Sequence, residues 1–212
     1  MPPIDGTGSN GVCLLGEAYG QHEATRNTPF VGPAGFRLER MVQMLGANRS
    51  DFLITNTVWH QPPGNREPTE IEVEAYRERW EGAIKASGVR VVVPLGNVPL
   101  RAVLGHWGIQ GRRGYLEWSA RLDRWVLPTV HPSFILRGNA NWTAAWLRDV
   151  GMALEVAQNG PPALPRRELT LDPSPDVAAS WGQPWAQAGY PPLAVDIETP
   201  TDKDDEEASE LA

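Results

Sequence analysis

The sequence predicts an α/β fold: a three-layer α/β/α sandwich built on a four-stranded parallel core sheet. Two observations carry this. Four short runs rich in β-branched and aliphatic residues, at 12–15, 52–55, 89–95 and 126–130, read as strands. Between them, apolar residues recur at helical spacing. Strands that alternate with helices build a parallel sheet covered on both faces.

The elements follow in chain order. Val12-Cys13-Leu14-Leu15 stops abruptly at Gly16, and a polar, Gly-punctuated loop leads to a helix opening near Pro33. Ala34, Leu38, Met41, Val42 and Leu45 keep helix spacing, and Gly46 ends the helix. The second strand ends in Ile54-Thr55-Asn56-Thr57. Thr69 followed by Glu72 is a capping-box signature, with Val73, Tyr76, Trp80 and Ile84 on one face behind it. A short helix from Pro99 stops at Gly105, and residues 112–126 read as a hairpin feeding the fourth strand. A last helix from Asn141 sets Trp142, Ala145, Trp146, Val150 and Leu154 on one side.

Three segments are expected: a domain at 1–157, a Pro/Gly/Ala-rich linker at 158–192, and an acidic remnant at 193–212. The net charge of −7 divides along the same lines. Residues 1–158 hold 16 Lys and Arg against 15 Asp and Glu, and the rest hold 3 against 11. The main domain is therefore near neutral, and its cations are almost all arginine, the side chain shaped for bidentate phosphate contact. No apolar run approaches the roughly 18 residues of a membrane span, and no basic-then-apolar leader opens the chain, so a cytoplasmic protein is expected. The single cysteine, Cys13, excludes an internal disulfide and a cysteine-only metal site. It reads as a small core residue, with a reactive thiol as the alternative.

The stretch GEAYGQHEATRNTPFVGPAG at 16–35, Asn56 after the second strand, and His131-Pro132-Ser133-Phe134-Ile135-Leu136-Arg137 after the fourth together resemble the uracil-DNA glycosylase superfamily. They stand closest to its family 4 branch, which carries GE(A/G)PGxxE…PFVGxAG, then TN, then HPxxLLR. The resemblance spans roughly 11–157, with the motifs in family order. It implies a monofunctional hydrolase, without metal or cofactor here, that flips uracil out of DNA and cleaves its N-glycosidic bond. The alternative is a catalytically weak DNA- or uracil-binding module beside a polymerase.

Residue by residue, the resemblance assigns Glu17, Glu23 and His131 to catalysis. Gly16, Ala18, Phe30 and Asn56 would hold the base, and Ser133, Ile135, Leu136 and Arg137 would meet the DNA. An amide at Asn56 carries a donor and acceptors that match uracil N3–H and O4; an Asn ending a strand is also a turn former. Phe30 offers a stacking face, worth about 1–3 kcal/mol against a base, or a core contact. A donor at His131 would stabilise the departing uracil anion. Ile135 and Leu136 would wedge into the base stack and Arg137 would reach a phosphate. Glu17 would steady the sugar cation or its water. Glu23 could do likewise, or charge a loop at a helix start.

Three departures stand out. Family 4 enzymes hold a 4Fe–4S cluster on four cysteines, yet His60 and Tyr76 stand at the two positions that can be located here, and the N-terminal pair is missing. No cluster is expected, and Trp59, Tyr76 and Trp80 are expected to hold the 62–67 loop by packing. The family's GEAPG reads GEAYG, placing Tyr19 beside the pocket where proline is usual. Finally, Leu193-Ala194-Val195-Asp196-Ile197-Glu198-Thr199 resembles the first motif of a polymerase 3′–5′ exonuclease domain. Two-metal chemistry needs further carboxylates that no later segment supplies, so no exonuclease is expected. The chain would be the N-terminal part of a phage-type glycosylase-like–polymerase polypeptide, acting as a monomer on uracil-containing DNA.

Overall fold

The structure is a computed structural model that describes residues 3–163. Its centre is β1 (Val12–Ala18), flanked by β2 (Leu53–Val58) and β3 (Val91–Pro94), both parallel to it. Cys13 lies opposite Leu53 on one side and Val92 on the other. Beyond β3 come β5 (Arg124–Val126), parallel, and β4 (Glu117–Ser119), antiparallel, giving the order β2-β1-β3-β5-β4. Four parallel strands thus form the core expected from the sequence, and the hairpin adds a fifth at the edge.

Alternation along the strands divides the core into two layers of side chains. Val12 and Leu14 face one side, where α2 (Pro33–Met44) supplies Leu38, Met41 and Val42, and α7 (Thr143–Asn159) supplies Trp146, Val150 and Ala153. Cys13 and Leu15 face the other, where α3 (Glu70–Ala86) supplies Val73, Trp80 and Ile84, and α4 (Asn97–Leu104) supplies Val98 and Val103. Each fully buried aliphatic side chain contributes about 1.5–3 kcal/mol. A sheet sealed on both faces leaves only its edges and strand ends to solvent.

Several boundaries move. The last parallel strand is Arg124–Val126 rather than 126–130, because Pro128 has no N–H for a ladder; a single bridge, Leu95 to Thr129, continues the pairing. The segment after β1 is not all loop, since α1 (Gln21–Arg26) forms within it. Asn56 lies inside β2 rather than at its end, in a run where every residue is buried. The Thr69 capping box forms as expected: its hydroxyl accepts the Glu72 N–H, and the Glu72 carboxylate accepts the Thr69 N–H. The expected linker and the exonuclease-like remnant lie outside the described residues, apart from the start of the linker, where α7 runs on to Asn159.

One buried ionic link was not foreseen. Asp149, fully buried on α7, accepts two bonds from Arg113 and one from the Thr129 hydroxyl at 2.7 Å. Burial pushes its carboxyl up, and the bonds from Thr129 and Arg113 offset this only in part. The link ties the chain on both sides of the β4–β5 hairpin to α7, just ahead of His131.

Candidate active site

The carboxyl ends of the parallel strands open on a cavity of about 780 Å³. Crevices outside strand carboxyl ends are where open α/β sheets bind ligands. Glu17 and Ala18 reach it from β1, Asn56 from β2, Gly96 from the turn after β3, and His131 from the segment after β5.

Gly16, expected to hold the base, is buried against Asn56 and Phe30 and does not itself line the cavity. A Cβ there would lie 2.0 Å from Asn56 Oδ1 and 2.6 Å from the Phe30 ring, so only glycine permits both neighbours. Asn56 is 2 % exposed, and its Oδ1 is buried without a hydrogen-bond partner among the described residues. Its backbone carbonyl accepts the Trp59 indole N–H at 2.8 Å. A buried acceptor left unpaired costs about 1–3 kcal/mol. A ligand that brings an N–H to it recovers that cost.

Phe30 holds a left-handed backbone, φ +53, unusual for a bulky residue. Two contacts impose it. The Val31 and Gly32 N–H groups both donate to Glu23 Oε1, at 2.9 and 2.8 Å. Gly35 lets α2 close on the loop, since a Cβ there would sit 1.8 Å from the Phe30 carbonyl oxygen. The Phe30 ring stacks with His131, centroids 5.5 Å apart and planes at 29°. Glu23, buried on the inner face of α1, thus reaches the cavity as an acceptor for backbone, with one oxygen committed to the loop.

His131 caps α6 (Pro132–Leu136), its Nδ1 accepting the Ser133 backbone N–H at 3.1 Å with Ser133 Oγ at 2.8 Å. An Nδ1 that accepts puts the neutral imidazole proton on Nε2. Burial, with Arg137 nearby, lowers the pKa to about 4. The ring is therefore a neutral Nε2–H donor at physiological pH. Ser133 serves this histidine as well as lining the cavity.

Glu17 is half-buried, its carbonyl fixed by the Thr57 hydroxyl at 2.6 Å. Burial raises its pKa, Glu67 raises it further, and Arg137 opposes both. Leu136, 48 % exposed, and Arg137 stand at the cavity rim. Ile135 does not: at 2 % exposure it packs into the core, because a one-turn helix that buries Pro132 buries the residue three positions on. The expected wedge reduces to Leu136.

Sequence reasoning passed over part of the wall. Asn65, Arg66 and Glu67 line the cavity from the 62–67 loop, and Asn97 Oδ1 accepts the Gly108 and Ile109 N–H groups at 3.2 and 2.8 Å, setting another side. The Pro62-Pro63-Gly64-Asn65 turn was the available signal. Tyr19 stands beside the pocket as expected, buried in the cavity wall.

The cluster implied by the family resemblance does not fit these residues. His60 Nδ1 lies 3.3 Å from the Tyr76 hydroxyl and Nε2 lies 3.1 Å from Glu72, so the two located positions are engaged with protein. The chain's one cysteine is sealed inside β1, its thiol pushed up by burial. Purified protein is expected to be colourless and to keep its melting temperature in chelator. About four iron atoms per chain with absorbance at about 400 nm would overturn this.

An unpaired amide, an aromatic ring and a neutral imidazole donor gathered at the ends of a parallel sheet define a pocket for a flat heterocycle edged with donors and acceptors. Which class of heterocycle-handling protein this is follows from kinship. Residues 4–151 match the family described as Uracil DNA glycosylase superfamily, and the chain belongs to it. Among its relatives, the type-4 uracil-DNA glycosylase of Thermotoga maritima is 32 % identical over 133 residues, covering 61 % of this chain and 68 % of its own. That of Pyrobaculum aerophilum is 34 % identical over 148 residues, covering 64 % and 72 %. That of Archaeoglobus fulgidus is 39 % identical over 134 residues, covering 59 % and 66 %.

Proposed function

We propose that this protein is a uracil-DNA glycosylase: it flips uracil from DNA and hydrolyses the N-glycosidic bond, leaving an abasic site. The observation that carries the reading is the buried, unpartnered Asn56 amide in a cavity it shares with Phe30 and a neutral His131. Uracil presents N3–H beside O4, so the amide pairs with both; cytosine presents an unprotonated N3 beside an amino group and does not. Phe30 flanks the ring. As the bond breaks, positive charge grows on the sugar and negative charge on the base. His131 Nε2–H donates to uracil O2, and Glu17 steadies the sugar or directs the water that adds to C1′. Water supplies hydroxyl to the sugar and a proton to the base. Leu136 fills the space the base vacates, and Arg137 holds a phosphate. Glu23 acts as a positioning residue that fixes Phe30.

The polypeptide is further read as a cytoplasmic monomer whose residues 1–157 form the working domain, with 158–192 as a linker toward a remnant at 193–212 resembling the start of a 3′–5′ exonuclease domain. No helix among the described residues is long and apolar enough to cross a membrane. The test is single-turnover excision on uracil-containing DNA with protein in excess, read as strand breakage at abasic sites. Product no faster than spontaneous loss would sink the enzyme reading and leave a binding module.

A further inference from the structure

The 62–67 loop supplies Pro62, Asn65, Arg66 and Glu67 to the cavity wall, yet its own bonding is thin. Asn65 N–H donates to the Pro62 carbonyl at 3.0 Å, Arg66 N–H to the Pro63 carbonyl at 3.3 Å, Arg66 Nη1 to the Glu67 carbonyl at 3.0 Å and Gln61 Nε2 to Asn65 Oδ1 at 2.7 Å. Gly64 and Asn65 both hold left-handed backbone, φ +64 and +55. Glycine and asparagine are the residues that enter this region most readily, so the turn itself is accommodated locally, and what fixes it against the fold is its side-chain ties.

The ties converge on one carboxylate. Glu72 Oε2 accepts from Arg66 Nη1 at 2.7 Å and from the Thr69 N–H at 2.8 Å. Glu72 Oε1 accepts from Arg66 Nη2 at 3.0 Å and faces His60 Nε2 at 3.1 Å. His60 precedes the loop and Arg66 closes it, so both ends reach the same group. These bonds hold the Glu72 carboxyl well below the usual carboxylate range. Glu72 sits in the first turn of α3, which is anchored through Val73, Trp80 and Ile84 in the core. His60 is steadied from its other nitrogen by the Tyr76 hydroxyl, and Tyr76 packs on Trp59, whose indole N–H holds the Asn56 carbonyl. An unbroken set of contacts therefore runs from the loop to the proposed base-reading residue.

We propose that Glu72, with His60 as its strut, is a positioning residue for base excision: its carboxylate draws both ends of the 60–66 loop onto α3 and holds that cavity wall in place. The catalytic half of this inference rests on the excision reading; the mechanical half does not. Glu72 also belongs to the α3 capping box, so its substitution alone would mix loop release with helix fraying. His60 lies outside the cap and separates the two.

The experiment uses full-length protein as wild type, E72Q, H60A and H60Q. Trypsin cleavage after Arg66 reports the loop, because a guanidinium held on both nitrogens by Glu72 is withheld from a protease. Cleavage there is expected to rise roughly tenfold in E72Q and H60A, as local opening grows cheaper. Single-turnover excision is expected to slow by about 10–100-fold with DNA affinity changed far less, as a displaced wall residue costs rate before binding. H60Q keeps an N–H donor for Glu72 and is expected to stay near wild type in both assays. Unchanged cleavage after Arg66 in E72Q and H60A would overturn the strut, and faster cleavage with undiminished excision would overturn the positioning role. A wild type that excises nothing would remove the excision reading and the catalytic half with it, while the cleavage assay would still judge the strut.

Discussion

Replacing His131 by alanine slows single-turnover excision by about 10²–10³-fold, the usual loss when one oxyanion donor is removed. DNA affinity changes far less, because the hydrogen bond strengthens only as charge reaches uracil O2. The structure specifies the form of the donor. Nδ1 is taken by the Ser133 N–H, so the proton stands on Nε2, and a pKa lowered to about 4 keeps the ring neutral. Two consequences can be measured. On His131's account, the wild-type rate holds level as pH falls from 8 toward roughly 5, with no step at the ordinary histidine value of about 6.5. Stability follows the opposite pattern. The unfolded chain takes up a proton that the folded site resists, so this residue's contribution is full above about 6.5 and is lost as pH falls through the folded value. The urea midpoint of wild type relative to H131Q is therefore expected to be lower at pH 4.5 than at pH 7. Undiminished excision in H131A would remove the residue from the chemistry.

Asn56→Asp produces the second large effect. The change keeps shape and volume but turns the donor edge of the amide into an acceptor, setting a carboxylate in a site that is 2 % exposed. One face of uracil then meets like against like. Sites built around a hydrogen bond lose on the order of 10²-fold or more when it cannot form. Excision from U:G and U:A pairs is expected to fall at least that far, and the margin against cytosine to narrow. Equal rates in variant and wild type on both pairs would place base reading elsewhere.

The parts of this molecule that could be read in the sequence are those where one local rule dominates. β1 opens on an unbroken apolar run at 12–15, though it runs on through Glu17 to Ala18, α2 keeps its spacing to Gly46, and Thr69 with Glu72 announces α3; all three form. Where the rule is inverted or too short, the reading slipped. The one buried side chain of α1 is a carboxylate, Glu23, so no apolar period marks the helix. The strands β4 and β5 are three residues each and mix a charged residue with tryptophan, which leaves no alternation to fix their bounds. α6 is a single turn, so nothing in HPSFILR tells Ile135 from Leu136 until the core is present. The motif residues Glu17, Phe30, Asn56 and His131 all reach one cavity although 114 positions separate the first from the last. The bonds that orient them, such as Glu23 to the backbone beyond Phe30 or Arg113 to Asp149, fall at no helix or strand period and leave no local pattern.

The lone cysteine in the middle strand makes the protein its own unfolding clock. Cys13 has a neighbour strand on each side and helices above and below, with no access to solvent and a thiol that resists ionisation. No fraying end or opening loop can expose it; β1 must leave the sheet. A maleimide-type reagent therefore reacts only with opened molecules: at reagent levels where labelling outpaces refolding its uptake gives the rate of global opening, and at lower levels it gives the open population, without denaturant, heat or an engineered label.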